Sequence, residues 1–334
     1  LKFTTILLVT RYPSLVTFYT ETENRKLRTE MIAFISHQQI DKQKWDSCIA
    51  GSPYGLIYAY SWFLDLICPG WNGLVEDDYQ VVLPLTWGRK FGISYLYQPF
   101  FSQQLGVFSK ALPDRDKINA FLAAIPETYR LIDICLNSSN DVTPGQFQVF
   151  SSKTHELELT GGYEELFRSY SDNTERNIKK AADHNVSVIR ENRLDDLIAM
   201  FRSNQGRFYP KIKSYHYSRL KSIMLEGINR EAGKTYLAGS ANGSICAGAY
   251  FIHSNRRYVF LFSGNIPESR ENGAMFLLID RFIRDHAGED SLLDFMGSNR
   301  ESLARFYAGF GAREVRYHGI KQNRLPWMVR WMKK

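Results

Sequence analysis

The chain has 334 residues, with 42 lysines and arginines against 35 aspartates and glutamates, a formal net charge of +7. Its 44% hydrophobic and 14% aromatic content, with only 23 glycines, excludes a disordered chain and a collagen-like one. The length predicts about two domains, and the mild basic excess favours anionic ligands such as phosphates, nucleotides or envelope precursors without marking a nucleic-acid reader.

At the N-terminus, Lys2 followed by the apolar run Phe3–Val9 has the outline of a short signal peptide. Arg11 breaks that run, and no small-residue cleavage site follows. Met31 opens MIAFISHQQIDKQKW, which reads as an ordinary protein start, so residues 1–30 are expected to be an extension outside the fold. Helical apolar spacing marks 41–50 and 60–68. Residues 71–108, with QVVLPLTW, ISYLYQPFF and QLGVF separated by glycine and charged turns, read as a strand meander. Asp114 is a candidate N-cap for a helix over 114–126, where Ile118, Phe121, Leu122 and Ile125 share one stripe. Strands follow near 130–136 and 147–150, around the turn cluster NSSNDVTPG.

After residue 155 the pattern restarts. Helices are expected over 162–184, 193–204 and 215–229. Strands at 235–241, 244–252 and 256–263 come next, with Asn242-Gly243 and Ser254-Asn255 as hairpin turns. A helix over 271–287, a short buried strand at 292–295, a helix over 299–309 and a strand at 312–319 complete the order. An antiparallel meander joined to alternating helices and strands predicts an α/β chain with mixed, largely antiparallel sheets flanked by helices. The domain boundaries expected are 31–154, with 320–334 able to complete it, and 155–319.

The four cysteines, Cys48, Cys68, Cys135 and Cys246, have no paired or zinc-ribbon spacing, which predicts small core thiols in a reduced cytoplasmic compartment. The seven histidines form no H-x-x-x-H or E-x-x-H pair, so no metal site is expected. No apolar run approaches a membrane span of about 18 residues. REAGKT at 230–235 is a near miss for a P-loop, but it leaves a helix and enters a strand, the reverse of that motif's order.

The segment ARFYAGFGAREV at 304–315 resembles the GNAT acyltransferase pattern F/L-Y-x-x-x-G-F/A. Phe306, Tyr307 and Gly311 match, and Ala312 replaces the usual Phe. The segments ERNIKKAADHNVSV at 175–188, AGAYFI and DFMGSN at 294–299 are similar to the FemAB-like, tandem-GNAT branch. So are VLPL and YLYQPFF in the first half. The resemblance covers residues 31–334 and implies two GNAT-like domains, the second binding the donor and performing the chemistry. It implies acyl transfer to an amine, from acyl-CoA as co-substrate or, in the peptidoglycan-bridge members, from aminoacyl-tRNA. No permanently bound cofactor is implied.

Several residues carry the implied site. SRENGAM at 269–275 matches the pyrophosphate loop at Arg270 and Gly273; the physical basis is a helix N-terminus approached through glycine, and the bland alternative is an eased helix start. Tyr307 stands where GNAT enzymes protonate a departing thiolate, or is a core aromatic. Asn299 lies near a CoA-contacting position, or caps the helix that follows. Asp294 could orient or deprotonate the amine, or be an ion-paired carboxylate. Arg176, Lys179 and Lys180 form either an acceptor-phosphate patch or a solvated helix face. Arg207, Phe208, Tyr209 and Lys211, with Lys213 and Tyr215, mix cations and aromatics suited to phosphates and rings, or form a surface loop. Backbone N–H groups of the 256–263 strand are the expected oxyanion donors.

The function expected is N-acyl transfer from acyl-CoA to a primary amine of a small or envelope-precursor acceptor. The alternatives are tRNA-dependent aminoacyl transfer onto peptidoglycan precursors, and a non-catalytic protein that binds a phosphate-bearing precursor. No DNA partner is expected; tRNA belongs to the first alternative, and peripheral membrane contact is compatible with all three.

Overall fold

The computed structural model describes residues 32–326. The expectation for residues 1–30, and residues 327–334, lie outside the described residues. The first half runs β1 (Ala33–Ile35), α1 (Lys42–Gly51), α2 (Ser61–Ile67), β2 (Asn72–Glu76), β3 (Val81–Leu85), β4 (Trp87–Lys90), β5 (Ile93–Tyr97), β6 (Phe108–Ser109), α3 (Arg115–Ala123), β7 (Tyr129–Cys135) and β8 (Gln148–Glu158). The second half runs α4 (Tyr163–Phe167), α5 (Asp172–Asp183), β9 (Ser187–Ile189), α6 (Leu194–Ser203), α7 (Ser214–Asn229), β10 (Gly233–Gly239), β11 (Ile245–Ser254), β12 (Arg257–Asn265), α8 (Glu268–Glu271), α9 (Ala274–His286), β13 (Leu292–Asp294), α10 (Glu301–Ala308) and β14 (Arg313–Asn323).

Helix starts follow the expected chemistry. Asp41 accepts the N–H groups of Gln43 and Lys44 at the head of α1, and Asp114 accepts that of Lys117 at the head of α3. The single helix expected over 162–184 is two. Ser171 interrupts it, because its side chain caps α5 at Thr174 while its own N–H is taken by the carbonyl of Gly309.

Two mixed or antiparallel sheets result. A four-stranded sheet has the order β1-β2-β3-β6, and a ten-stranded sheet the order β4-β5-β7-β14-β8-β13-β12-β11-β10-β9. The meander expected over 71–108 is divided between them. One residue, Thr86, separates β3 in the small sheet from β4 in the large one. Its hydroxyl and carbonyl both bond Tyr97, holding the corner. β8 runs unbroken past residues 154 and 155, and β14 lies between β8 and β7, pairing with both.

Three apolar clusters fill the layers. One packs Leu83, Phe121 and Ile132 of the first half with Ile320 of β14. A second packs Phe251, Phe282, Phe295 and Phe310 in the second half. The third belongs to both halves, joining Trp45, Phe63 and Trp71 to Leu197, Ile223 and Tyr250. A polar clamp reinforces it. The two-residue turn Asn255-Arg256 between β11 and β12 has φ of 49° and 57°, the conformation of a hairpin turn in which asparagine is favoured. The Asn255 amide donates to the carbonyls of Ile49 and Ala50 at the end of α1, and its oxygen accepts from the Tyr60 hydroxyl. By contrast Asn242-Gly243 lies in a five-residue loop, 240–244, rather than a two-residue turn. There the Asn242 side chain bonds Ser240 and the Ser244 N–H across the loop.

The four cysteines are free thiols, three of them buried. Among the described residues no helix is long and apolar enough to cross a membrane, and no group of His, Cys, Asp and Glu is gathered to hold a metal ion.

A buried histidine at the foot of β10 makes stability depend on pH. His286 Nδ1–H donates to the Phe282 carbonyl at 2.8 Å, so the bare Nε2 accepts from Lys234 Nζ at 2.7 Å. Burial holds the imidazole below its usual pKa, and burial does the same to His253 nearby. The unfolded chain therefore binds protons near pH 6.5 that the folded chain refuses. The stability these groups contribute is present above about pH 6.5 and falls as pH drops toward their depressed folded values. Urea midpoints should decline from pH 7.5 to 5.5, and His286→Gln should flatten the decline; midpoints that do not move over this range would remove the effect.

Candidate active site

The large sheet opens at its centre. β13 pairs with β12 only from Arg257 to Val259, and with β8 only from Glu156 to Glu158. Beyond Asp294 the chain leaves the sheet: the Phe295 N–H bonds the His155 carbonyl, and Met296 and Gly297 turn away with φ of 55° and 57°. β12 continues to Asn265 without a partner on that side. A bulge sharpens the divergence, since Tyr250 faces Phe262 and Phe251 faces Phe260, leaving Leu261 extra on β12. The result is a gap between β12 and β8 into which alternate N–H groups of β12 point.

Tyr307, on the inward face of α10, forms the base of this gap. Its ring stacks on Phe295 at 4.7 Å and meets the edge of Phe260 at 6.2 Å. The residue is 6% exposed, and among the described residues its hydroxyl makes no hydrogen bond. Burial, helped by the negative charge of Asp294 nearby, pushes its pKa well above the usual phenol value. Near neutral pH it is therefore a protonated donor with an uncommitted proton.

Beside it lies a buried ion triad. Arg257 donates to Glu156 Oε1 at 2.6 Å and to Asp294 Oδ2 at 2.9 Å. Asp294 Oδ1 accepts from the Thr154 hydroxyl at 2.5 Å and the Met296 N–H at 3.0 Å. Burial opposes the guanidinium's charge, but the two carboxylates outweigh it and hold its pKa above normal. The hydroxyl of Tyr58, from the first half, is fully buried next to Asp294 and Arg257 with no hydrogen-bond partner, and burial raises its pKa.

Asp294 thus differs from the expectation that it deprotonates the amine. Both its oxygens are committed and it is shut off from solvent, so it is the ion-paired carboxylate of the alternative reading. Asn299 does not cap α10. Its oxygen accepts the N–H of Lys153, and no side chain caps that helix. Gly273 heads α9 with φ of 71°, and a Cβ there would lie 2.3 Å from the carbonyl oxygen of Asn177 on α5. The glycine is required by that close passage, and the Asn272 side chain already takes the Ala274 N–H. Arg270 lies in the helical turn α8. Arg176, Lys179 and Lys180 are exposed on α5, outside the contacts of the Tyr307 cluster. Lys179 lines a shallow hollow of about 310 Å³ with Ile178, Leu277, Arg281 and Arg284. Of the loop residues, Tyr209 comes close to Tyr307, held by stacking on Phe201 at 6.2 Å. Arg207 is exposed on the turn Gln205–Phe208 just before it.

Sequence reasoning missed Arg257, Glu156 and Tyr58. Arg257 follows Arg256 directly at a hairpin and opens an apolar strand, so only its place in the fold separates a buried cation from an exposed one. A charged residue directly heading the apolar run YVFLF would have been the one usable signal.

Residues 168–305 match the family described as an acetyltransferase (GNAT) domain. Among solved structures, FemX is similar over 84% of this chain and 96% of its own, at 13% identity and a TM-score of 0.60. A conserved protein of unknown function from Bacteroides thetaiotaomicron is similar over 90% of this chain and 96% of its own, at 10% identity and a TM-score of 0.54. At such identities the likeness is one of fold. No curated protein matches the chain.

Proposed function

We propose that this chain, an acyltransferase carrying a GNAT domain over residues 168–305, moves an acyl group from acyl-CoA to the primary amine of a small or cell-envelope precursor, with acetyl-CoA as the simplest donor. The observation that carries this reading is Tyr307, a buried phenol with an uncommitted hydroxyl at the base of a split sheet. A neutral amine attacks the thioester carbonyl, and the charge developing on its oxygen is met by N–H groups of β12 beyond Val259. As the intermediate collapses, the carbon–sulfur bond breaks and the amide forms. Tyr307 donates its proton to the leaving thiolate and recovers one from the attacking nitrogen through solvent. Arg207 and Tyr209 flank the acceptor side, and the α8–α9 turn with Arg270 and Gly273 lies on the donor side.

A second reading keeps the amine and changes the donor to aminoacyl-tRNA. It is favoured by the α8–α9 turn, where Asn177 closes on Gly273 and Asn272 already caps Ala274, leaving less open backbone for a pyrophosphate. Thiol release from acetyl-CoA, measured against a panel of primary amines beside transfer from charged tRNA, separates the two. Amine-dependent thiol release is the expected result. Transfer from charged tRNA with no thiol release would replace the first reading by the second.

A further inference from the structure

We infer that the acceptor is an amine that also carries an anionic group, a carboxylate or a phosphate, and that Arg300 anchors that group. The inference rests on the reading of Tyr307 as the reaction site.

Arg300 stands at the head of α10, seven residues before Tyr307. Two helical turns separate them, so both lie on one face, with Cα atoms about 10 Å apart. Tyr209 spans the interval. The Arg300 guanidinium lies over its ring at 5.1 Å, and Tyr209 is in turn a neighbour of Tyr307. Three side chains from two separate segments thus form a line from the base of the gap to its rim.

The charges along this line are ordered. At the inner end Glu156 and Asp294 share the one guanidinium of Arg257, an excess of negative charge that favours an amine or ammonium. At the rim Arg300 and Arg207 are exposed, and among the described residues neither forms an ion pair. On β14, by contrast, Arg313 is committed to Glu158 and Arg316 to Glu314. A guanidinium seated on an aromatic face keeps its planar fork of donors directed outward, the arrangement that takes a carboxylate or phosphate through two parallel bonds. A molecule with its amine inward and its anion outward matches both ends. The spacing adds a constraint: amine and anion are several bonds apart, as in a side-chain amine of an amino acid or an amino-sugar phosphate, and not on adjacent atoms as in an α-amino acid.

The test uses matched acceptor pairs with acetyl-CoA and the full chain. Nα-acetyl-lysine against its carboxamide tests a carboxylate, and glucosamine 6-phosphate against glucosamine tests a phosphate. The expected result is that the anionic member of at least one pair is preferred by about tenfold or more in kcat/KM, through KM. In Arg300→Gln that preference should shrink toward unity, and Arg300→Lys should restore part of it. The pair that responds identifies the anion. Equal kcat/KM within both pairs, or a preference that survives Arg300→Gln, overturns the proposal. If no acceptor releases thiol, the acyl-CoA reading fails by itself. Calorimetric titration of the same four compounds into wild type and Arg300→Gln then decides the anchor, and equal affinities within both pairs overturn it.

Discussion

Tyr307→Phe is expected to lower kcat by about 100-fold and leave the protein folded. The substitution removes one oxygen that has no hydrogen-bond partner among the described residues, so no donor or acceptor is orphaned by its loss. The ring keeps its stack on Phe295 and its edge contact with Phe260. A shift in unfolding free energy within about 1 kcal/mol is therefore expected. The leaving thiolate loses its proton donor only as the carbon–sulfur bond breaks, so kcat and kcat/KM should fall together while KM for acyl-CoA stays near its wild-type value. A kcat within twofold of wild type would return Tyr307 to the role of a core aromatic.

Arg257→Met should cost about 3–5 kcal/mol of stability, the largest single-residue loss expected here. The methionine fills much of the volume, but Glu156 and Asp294 remain buried beside each other with no cation between them. Each carboxylate has given up its hydration, and Asp294 retains only the Thr154 hydroxyl and the Met296 N–H. Neutralising the carboxylates as well, in a triple variant with Glu156→Gln and Asp294→Asn, should recover part of the loss, because the penalty is mainly that of the stranded charges. Urea unfolding of the single and triple variants measures both. A loss below about 1 kcal/mol for Arg257→Met would show that the triad is hydrated in solution.

The second half was the more legible. α6, α7 and β10–β13 follow from apolar period, and the cap at Asp114 from residue type. Interaction between distant segments was not legible. Nothing local to Thr86 says that the chain changes sheets there, because the bonds that hold the corner come from Tyr97. Asn255 reads as a turn residue, and its grip on the end of α1 depends on packing some two hundred positions away in sequence. In the candidate site, Tyr307 stands out in the sequence because its neighbours Phe306 and Gly311 complete a pattern. Asp294 was legible with two roles open, and the sequence could not choose between them, since the arginine that commits it lies in another strand. Arg300 left no mark, because an exposed arginine before a helix is ordinary until Tyr209 is seen beneath it.

The place of β14 bears on how the molecule is made. It lies in the interior of the ten-stranded sheet, between β7 and β8, yet both of those strands leave the ribosome long before it does. Until it arrives, each presents an open edge able to pair with another nascent chain. The sheet cannot be closed one half at a time during synthesis, and the contacts that close it join segments far apart in sequence, which slows folding. A chaperone that shields strand edges would therefore be needed most in the interval between the emergence of β8 and that of β14.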